Sequence, residues 1–545
     1  LAVIILVGGL LRLVWLDKYP AGFTPDEAAF GYNAYSILKT GKDEWGTPWW
    51  QLPATGLRSF GDYKLPLYSF LAIPSIKIFG LNEFATRLPN AIFGVLAIVS
   101  IYLLAKKLYL TSNPSPKLGE GNARGEVLGV TSALLLSISP WHIQLSRGAF
   151  EANLAVLFLP LGLYLYLANK SFLSALVFSL GAYSYHSTRA ATPLILALTF
   201  IFYKRINWKF VLLFTIFSLP IIFSVLGTAS SRISDVGLFN PTDNWGGVAD
   251  RRFEAKNRGL PDAISRLFSN KLIYTVSTTF KNYASYFSPQ FLFTSGAGEA
   301  TYGMIPGRGV LYYIEIPLLI SFLLLLTKRP GLQAWFLLSL ILVSALPAAL
   351  SKGPGYPANR VATLIPFLYI AISLGLVNLL NSLKDYKKPL TIVLLCAYSL
   401  SLIFFLEDYV YHAPSINPQS MTYGWRELAP RLKAIARRFT DVRISRSLSE
   451  PHIFVAFYWQ IDPLVYQKAA GSWSDFSSKG YKFLDQYDGY YLNNYRFGDI
   501  YPTDAVDHPV LFVGKPDDFP PDYGEYFHIN YPNGQSAIQV AEKLP

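Results

Sequence analysis

Thr86-Arg87-Leu88-Pro89-Asn90-Ala91-Ile92-Phe93-Gly94-Val95-Leu96-Ala97-Ile98-Val99-Ser100-Ile101-Tyr102-Leu103-Leu104-Ala105 carries a single charge, and Lys106-Lys107 follow at once. A helix crossing the hydrocarbon core of a bilayer needs about 20 mostly apolar residues. This run has that length, and the lysine pair marks a cytoplasmic end. Ten similar runs lie near 1–16, 127–140, 153–168, 172–186, 190–203, 209–227, 310–327, 332–350, 361–380 and 389–406. The expected fold is therefore a multi-span α-helical membrane protein of about eleven transmembrane helices. Several runs are short, so their ends are expected to be buried in protein or extended by loop residues.

The composition agrees: the chain is 52% hydrophobic and only 15% charged over 545 residues. A net charge of +12 raises the question of nucleic acid, but the basic residues answer it by position. Lys106, Lys107, Lys117 and Arg124 share one connector, and Lys170 holds the next but one. Lys204, Arg205 and Lys209 follow, then Lys328 and Arg329, then Lys384, Lys387 and Lys388. They fall on alternate connectors, as cytoplasmic loops require. No basic arm of the nucleic-acid kind appears. The pattern puts the N-terminus in the cytoplasm and, with eleven spans, the C-terminal tail outside.

The chain opens at Leu1 within an apolar run, so a few residues are expected before it; no small-residue cleavage site follows that run. Its single cysteine, Cys396, excludes an internal disulfide framework. An outward tail without disulfides fits the plasma membrane of a prokaryote.

Three stretches on the outward side are long: 17–85, 228–309 and the tail from about 407. The expected division is a transmembrane domain over 1–406 and an extracytoplasmic α/β domain over 407–545. In the first loop, Thr24-Pro25-Asp26-Glu27 has the form of an N-cap followed by Pro at the first helical position and an acid three residues on. That helix should run to about Lys39 and stop at Gly41. Residues 64–79, broken by Pro66 and Pro74, are placed on the membrane surface. In the tail, Trp425–Phe439 has helical spacing, while Ile453–Trp459 and Val510–Val513 read as strands.

The candidate chemistry begins at Asp26 and Glu27, two carboxylates at a membrane boundary. An ionisable group held there is a functional candidate, and a carboxylate there can take a proton from an acceptor hydroxyl. Asp26 is the better base, because Glu27 is the residue that a capping box would occupy. Lys64, beside Asp62 and Tyr63, offers an ammonium suited to a lipid phosphate; the plainer reading is a snorkelling lysine partnered by Asp62.

Ser139–Asn153 is unusually polar for a connector. Arg147 and Glu151 lie four apart and on one helix would share a face and pair. His142, a lone histidine in a turn, reads as structural. In Tyr183-Ser184-Tyr185-His186-Ser187-Thr188-Arg189, Arg189 is a candidate phosphate ligand and Tyr185 a site candidate, against the ordinary role of such tyrosines at membrane interfaces. The loop 352–360 ends in Arg360, which can bind phosphate oxygens bidentately. Six scattered histidines and no Asp-X-Asp in the first loop give no metal site.

A first span, then an outward Asp-Glu, then Lys64-Leu65-Pro66-Leu67-Tyr68, then Arg87-Leu88-Pro89-Asn90 opening the second span resembles the protein O-mannosyltransferase and aminoarabinose-transferase group of the GT-C glycosyltransferases. The ordered motifs cover roughly 1–205. The usual Lys-Pro-Pro stands here as Lys64-Leu65-Pro66. The resemblance implies a polyprenyl-phosphate-linked sugar donor, transfer at the outer face to a lipid, glycan or protein acceptor, and the first acid of the pair as catalytic base. It also implies that Lys64 meets the donor phosphate and that Arg147 and Glu151 lie beside the active site. Oligosaccharyltransferases, metal-dependent GT-C relatives, carry a Trp-Trp-Asp in their soluble domain; here the only Trp-Trp is Trp49-Trp50-Gln51, in the first loop. No obligatory cofactor or metal is expected. A lipid-linked glycan ligase or polymerase, and a non-enzymatic lipid or sugar flippase, are the alternatives.

Overall fold

The structure is a computed structural model, and it describes residues 1–112, 118–226, 237–238, 245–297, 303–328, 331–352, 357–416, 418–473, 476, 478–481, 483–501 and 508–543. Each of the eleven apolar runs holds a helix. Among the described residues, four helical stretches are long and apolar enough to cross a membrane: Glu83–Leu110, Leu332–Ala349, Ala362–Ser382 and Lys384–Ile416. A fifth is added when Ala123–Ser137 and Pro140–Arg147, bent by 59°, count as one span. This makes the chain an integral membrane protein, but length and composition support four or five spans where eleven were expected. Most of the difference is helix length; His186–Tyr203, at 18 residues, falls short in hydropathy instead. Ala2–Leu13, Ser171–Ser184 and Glu315–Thr327, for example, have only 10–17 residues, and at 1.5 Å per residue they rise less than the ~30 Å hydrocarbon core.

Packing within the helical domain is close. Ala362–Ser382 runs through its centre, with Phe367, Tyr369, Ile370, Ala371 and Ile372 fully buried. At Gly375 an added Cβ would lie 1.9 Å from the Leu318 carbonyl oxygen, so only glycine lets Glu315–Thr327 approach this far. Lys387–Glu407 lies at the edge and leaves Ile392, Val393, Leu395, Leu400, Ile403 and Phe404 more than half exposed. An apolar face of that extent has lipid as its natural solvent.

The C-terminal domain is a six-stranded mixed sheet in the order β4-β5-β3-β6-β8-β7. The strands are β3 (Asp441–Ser445), β4 (Tyr490–Leu492), β5 (Tyr495–Gly498), β6 (Val510–Gly514), β7 (Tyr523–Asn530) and β8 (Ser536–Lys543). β3 runs parallel to β5 and β6; the other pairings are antiparallel. Trp425–Ala436 is helical and Val510–Gly514 is a strand, as read. Ile453–Trp459 is not a strand: Pro451–Trp459 forms a helix. Pro451 at its first position presets the helical φ, and Phe454 stacks on Trp425 at 4.8 Å between centroids. Tertiary packing overrides the strand propensity of this aromatic run.

The first loop does not stand apart from this domain. Phe23, Ala28, Ala29, Tyr32, Phe60, Ala72 and Ile76 share one hydrophobic cluster with Trp425, Phe454, Phe457 and Trp473. Leu67–Phe79, placed by its sequence on the membrane surface, puts one face into this cluster, while Ile78 and Phe79 are exposed. Tyr32 donates to the Ile461 carbonyl at 3.0 Å, and Leu484 N–H to that of Phe60 at 2.9 Å. The Pro25–Thr40 helix is clamped between two cores, with Phe30 in the membrane cluster and Tyr32 in the other.

Candidate active site

Thr24 caps the Pro25–Thr40 helix as its sequence predicts. Its hydroxyl accepts from the Glu27 N–H at 3.3 Å, the Glu27 carboxylate accepts from the Thr24 N–H at 3.0 Å, and Gly41 closes the helix in the left-handed region. The cap fixes two neighbouring acids in different surroundings. Glu27 is fully buried and meets Arg87 through Nε at 2.8 Å and Nη2 at 3.2 Å. Its carboxylate also accepts from the Ala149 N–H at 2.9 Å. Arg87 completes its donors on the carbonyls of Leu16, Pro20 and Gly22.

Asp26 faces the other way. Its side chain is 37% exposed and pairs with the Lys64 ammonium, itself only 5% exposed. Lys64 reaches it from the hairpin of β1 (Leu57–Ser59) and β2 (Asp62–Lys64) and lies 4.9 Å from the Phe60 ring centroid. Asp62 belongs to β2, but its side chain lies outside what the structure describes.

Behind this pair sits a carboxyl the sequence reading missed. Glu44 is fully buried, accepting from Ser59 Oγ at 2.8 Å and Asn33 Nδ2 at 3.0 Å. Burial pushes it up to about 8, with Asp43 adding to the rise and Lys64 opposing it. Glu450, from the C-terminal domain, is the second missed carboxyl, buried and held well above the usual range by burial and then by Asp485. No local pattern announces either residue; their proximity to Asp26 and Lys64 is created by the fold.

The other candidates fall elsewhere. Arg147 ends its helix, and Gly148 breaks the chain before Glu151, which begins a separate 3-10 turn, so the shared helical face is not formed. Arg147 instead donates to the carbonyls of Leu11 and Val14 at 2.8 Å, capping the end of the first helix. Its segment still borders Glu27 through Ala149. His142 is buried and hydrogen-bonded to Arg12 at 2.8 Å. Arg360 donates to Ser351 Oγ at 2.9 Å and to the Lys352 carbonyl at 2.5 Å. Residues 353–356 of that loop, and much of the polar stretch 227–259, lie outside the described residues. Arg189 donates through Nε to the Ala182 carbonyl at 3.2 Å, while its Nη1 and Nη2 are buried without a hydrogen-bond partner. Tyr185 is the residue just before the Arg189 helix, His186–Tyr203. Among the described residues, Glu407, Asp408 and His412 could together face a metal ion. They are substantially exposed and already engaged, Asp408 with Arg308 and His412 with Glu407.

No protein-family profile matches the chain, and no curated protein does. Among solved structures it is similar to the Archaeoglobus fulgidus oligosaccharyltransferase tethered with an acceptor peptide, at 15% identity and a TM-score of 0.47. That match covers 84% of this chain and spans 62% of the other. It is similar also to the oligosaccharyltransferase AglB of the same organism in complex with an inhibitory peptide and a dolichol-phosphate, at 14% identity and a TM-score of 0.48, over 98% of this chain and 73% of that one. A third similarity is to ArnT from Cupriavidus metallidurans bound to undecaprenyl phosphate, at 12% identity and a TM-score of 0.46, over 99% and 97%.

Proposed function

We propose that this protein is an integral-membrane glycosyltransferase that moves a sugar from a polyprenyl-phosphate donor to an acceptor hydroxyl with inversion, at the extracytoplasmic face. The observation that carries the reading is the split between Asp26 and Glu27. One acid is locked away in a buried ion pair; its neighbour is accessible and backed by a buried lysine. That is the arrangement a base and a phosphate-binding cation need at one point.

Asp26 takes the proton of the acceptor hydroxyl as its oxygen attacks the anomeric carbon. The bond from that carbon to the phosphate oxygen breaks, and the electron pair stays on the phosphate. The Lys64 ammonium offsets the charge that develops there. Glu27 and Arg87 hold the first helical turn so that Asp26 keeps its place. Arg189, with two unpartnered buried guanidinium nitrogens, is a second anion-binding candidate, and Arg360 a third. The short apolar helices complete an eleven-span domain around a lipid-facing groove for the polyprenyl chain. Bound donor phosphate needs no metal in this scheme.

The flippase alternative calls for charges strung through the middle of spans. Among the described residues, the buried charges on the apolar helices lie near helix ends: Arg12 and Arg147 in last turns, Glu315 and Glu83 in first turns, and Arg87 one turn after Glu83. This favours chemistry at one face. The test is transfer from a panel of radiolabelled polyprenyl-phosphate sugars into membrane acceptors, with the anomeric configuration of the product read by NMR. One sugar transferred with inverted configuration supports the proposal; translocation of donor without transfer contradicts it.

A further inference from the structure

Glu450 sits where a side chain is hard to place. Ser449 and Glu450 both take positive φ, 54° and 48°, just before Pro451 opens its helix, and Glu450 is left-handed. Consecutive non-glycine residues in this region are strained, and such strain gathers at functional sites. The turn buries the Glu450 side chain to 9% exposure and leaves Oε2 without a hydrogen-bond partner. His452 Nδ1, at 3.7 Å, is too far for a hydrogen bond and is itself bonded to the Tyr490 hydroxyl at 3.0 Å. Buried polar atoms are nearly always satisfied, so an open one beside a reactive pair marks a place for a ligand.

Glu450 lies near the reactive pair: the ring of His452, two residues on, stands 6.1 Å from that of Phe60, which is itself 4.9 Å from the Lys64 ammonium. Asp485 approaches from the turn Leu484–Gln486, Lys64 from β2, Asp26 from its helix, and Glu44 from the segment after that helix. Tyr466 and Tyr490 feel it from the C-terminal domain, and His452, on its own helix, is pushed down to about 3 by burial and so stays neutral. Lys64 is the only cation among these groups, and Asp26 already holds it. Burial, then Asp485 and the other neighbouring acids, hold the Glu450 carboxyl well above the usual carboxylate range. The open Oε2 can accept from a sugar hydroxyl whether or not the carboxyl is protonated; a phosphate oxygen, an acceptor only, suits Lys64 better.

We propose that Glu450 is a substrate-binding residue of the transfer site, hydrogen-bonding a hydroxyl of the transferred sugar, so that the C-terminal domain adds a contact to the site begun by the first loop. This rests on the glycosyltransferase reading and deepens it by naming a sugar contact. The test is steady-state transfer by the full-length protein, comparing wild type with Glu450→Gln, Glu450→Ala and Asp26→Asn, each first checked for a retained thermal transition. Glu450→Gln, which donates and accepts but cannot ionise, should keep KM for the donor within about threefold of wild type. Glu450→Ala should raise that KM roughly tenfold, the loss of a good hydrogen bond. Wild-type KM in Glu450→Ala, or a KM raised as far in Glu450→Gln as in Glu450→Ala, overturns the inference. If that happens while Asp26→Asn abolishes transfer, the base assignment survives alone. Transfer unchanged in Asp26→Asn sinks that assignment instead, and no transfer by wild type sinks both.

Discussion

Glu27 and Arg87 face each other as a fully buried bidentate pair, one contact of 2.8 Å and one of 3.2 Å. The pair joins the first turn of the Pro25–Thr40 helix to the start of the long Glu83–Ser112 helix, and through Ala149 to the segment 139–153. Removing one member leaves the other charge buried and alone. Glu27→Gln or Arg87→Met should therefore cost about 3–5 kcal/mol of stability. A lowered thermal midpoint in detergent and poor membrane yield are the expected outcomes. An unaltered midpoint would mean that the pair is not the brace described.

Lys64 has a different task. Lys64→Met should lower kcat by about 10²–10³, the loss expected when a preorganised electrostatic stabiliser is removed. Lys64→Arg should recover only part of it, since the lysine is almost fully enclosed and a guanidinium is longer and planar. Full activity in Lys64→Met would remove the lysine from the mechanism.

Burial of Glu44 makes stability depend on pH. Its carboxyl is raised from about 4.5 to about 8, so the folded protein holds a proton that the unfolded chain has released. The contribution is fully present below the unfolded value and is lost as pH rises through the folded one, at up to about 1.4 kcal/mol per pH unit. Glu44→Gln should flatten the decline between pH 5 and 8 and raise stability above pH 8. Thermal melts at several pH values check this; parallel slopes in the two proteins would contradict it.

Gly31 lies where the first-loop helix crosses the C-terminal domain. An added Cβ would stand 2.5 Å from Thr86 Oγ1 and 2.7 Å from the Phe457 ring. Gly31→Ala should cost about 1–3 kcal/mol by overpacking and loosen the domain contact, read as faster protease cleavage between residues 407 and 425. Wild-type cleavage would show that the contact tolerates the methyl group.

The sequence made the Thr24 cap, the Pro25 start and the Gly41 stop legible because all three are local backbone chemistry. It also placed Asp26 and Lys64 as candidates, though their meeting required the fold. Ile453–Trp459 was misread because aromatic and β-branched residues suit either a strand or a fully buried helix, and only the stacking on Trp425 decides. Arg147 and Glu151 were expected on one helix because four-residue spacing assumes an unbroken one, and Gly148 ends it. Glu44 and Glu450 were invisible for a deeper reason. They are distant in the chain, and an acid in a polar stretch carries no sign that folding will bury it.

The most direct test compares transfer of the radiolabelled sugar by wild type and Asp26→Asn, with donor binding measured on the same preparations. The account predicts that Asp26→Asn binds donor as wild type does while transfer falls by about 10²–10⁴, the contribution of a positioned general base. Transfer at the wild-type rate by Asp26→Asn would contradict it and leave Asp26 as an acid that complements the dipole of its helix.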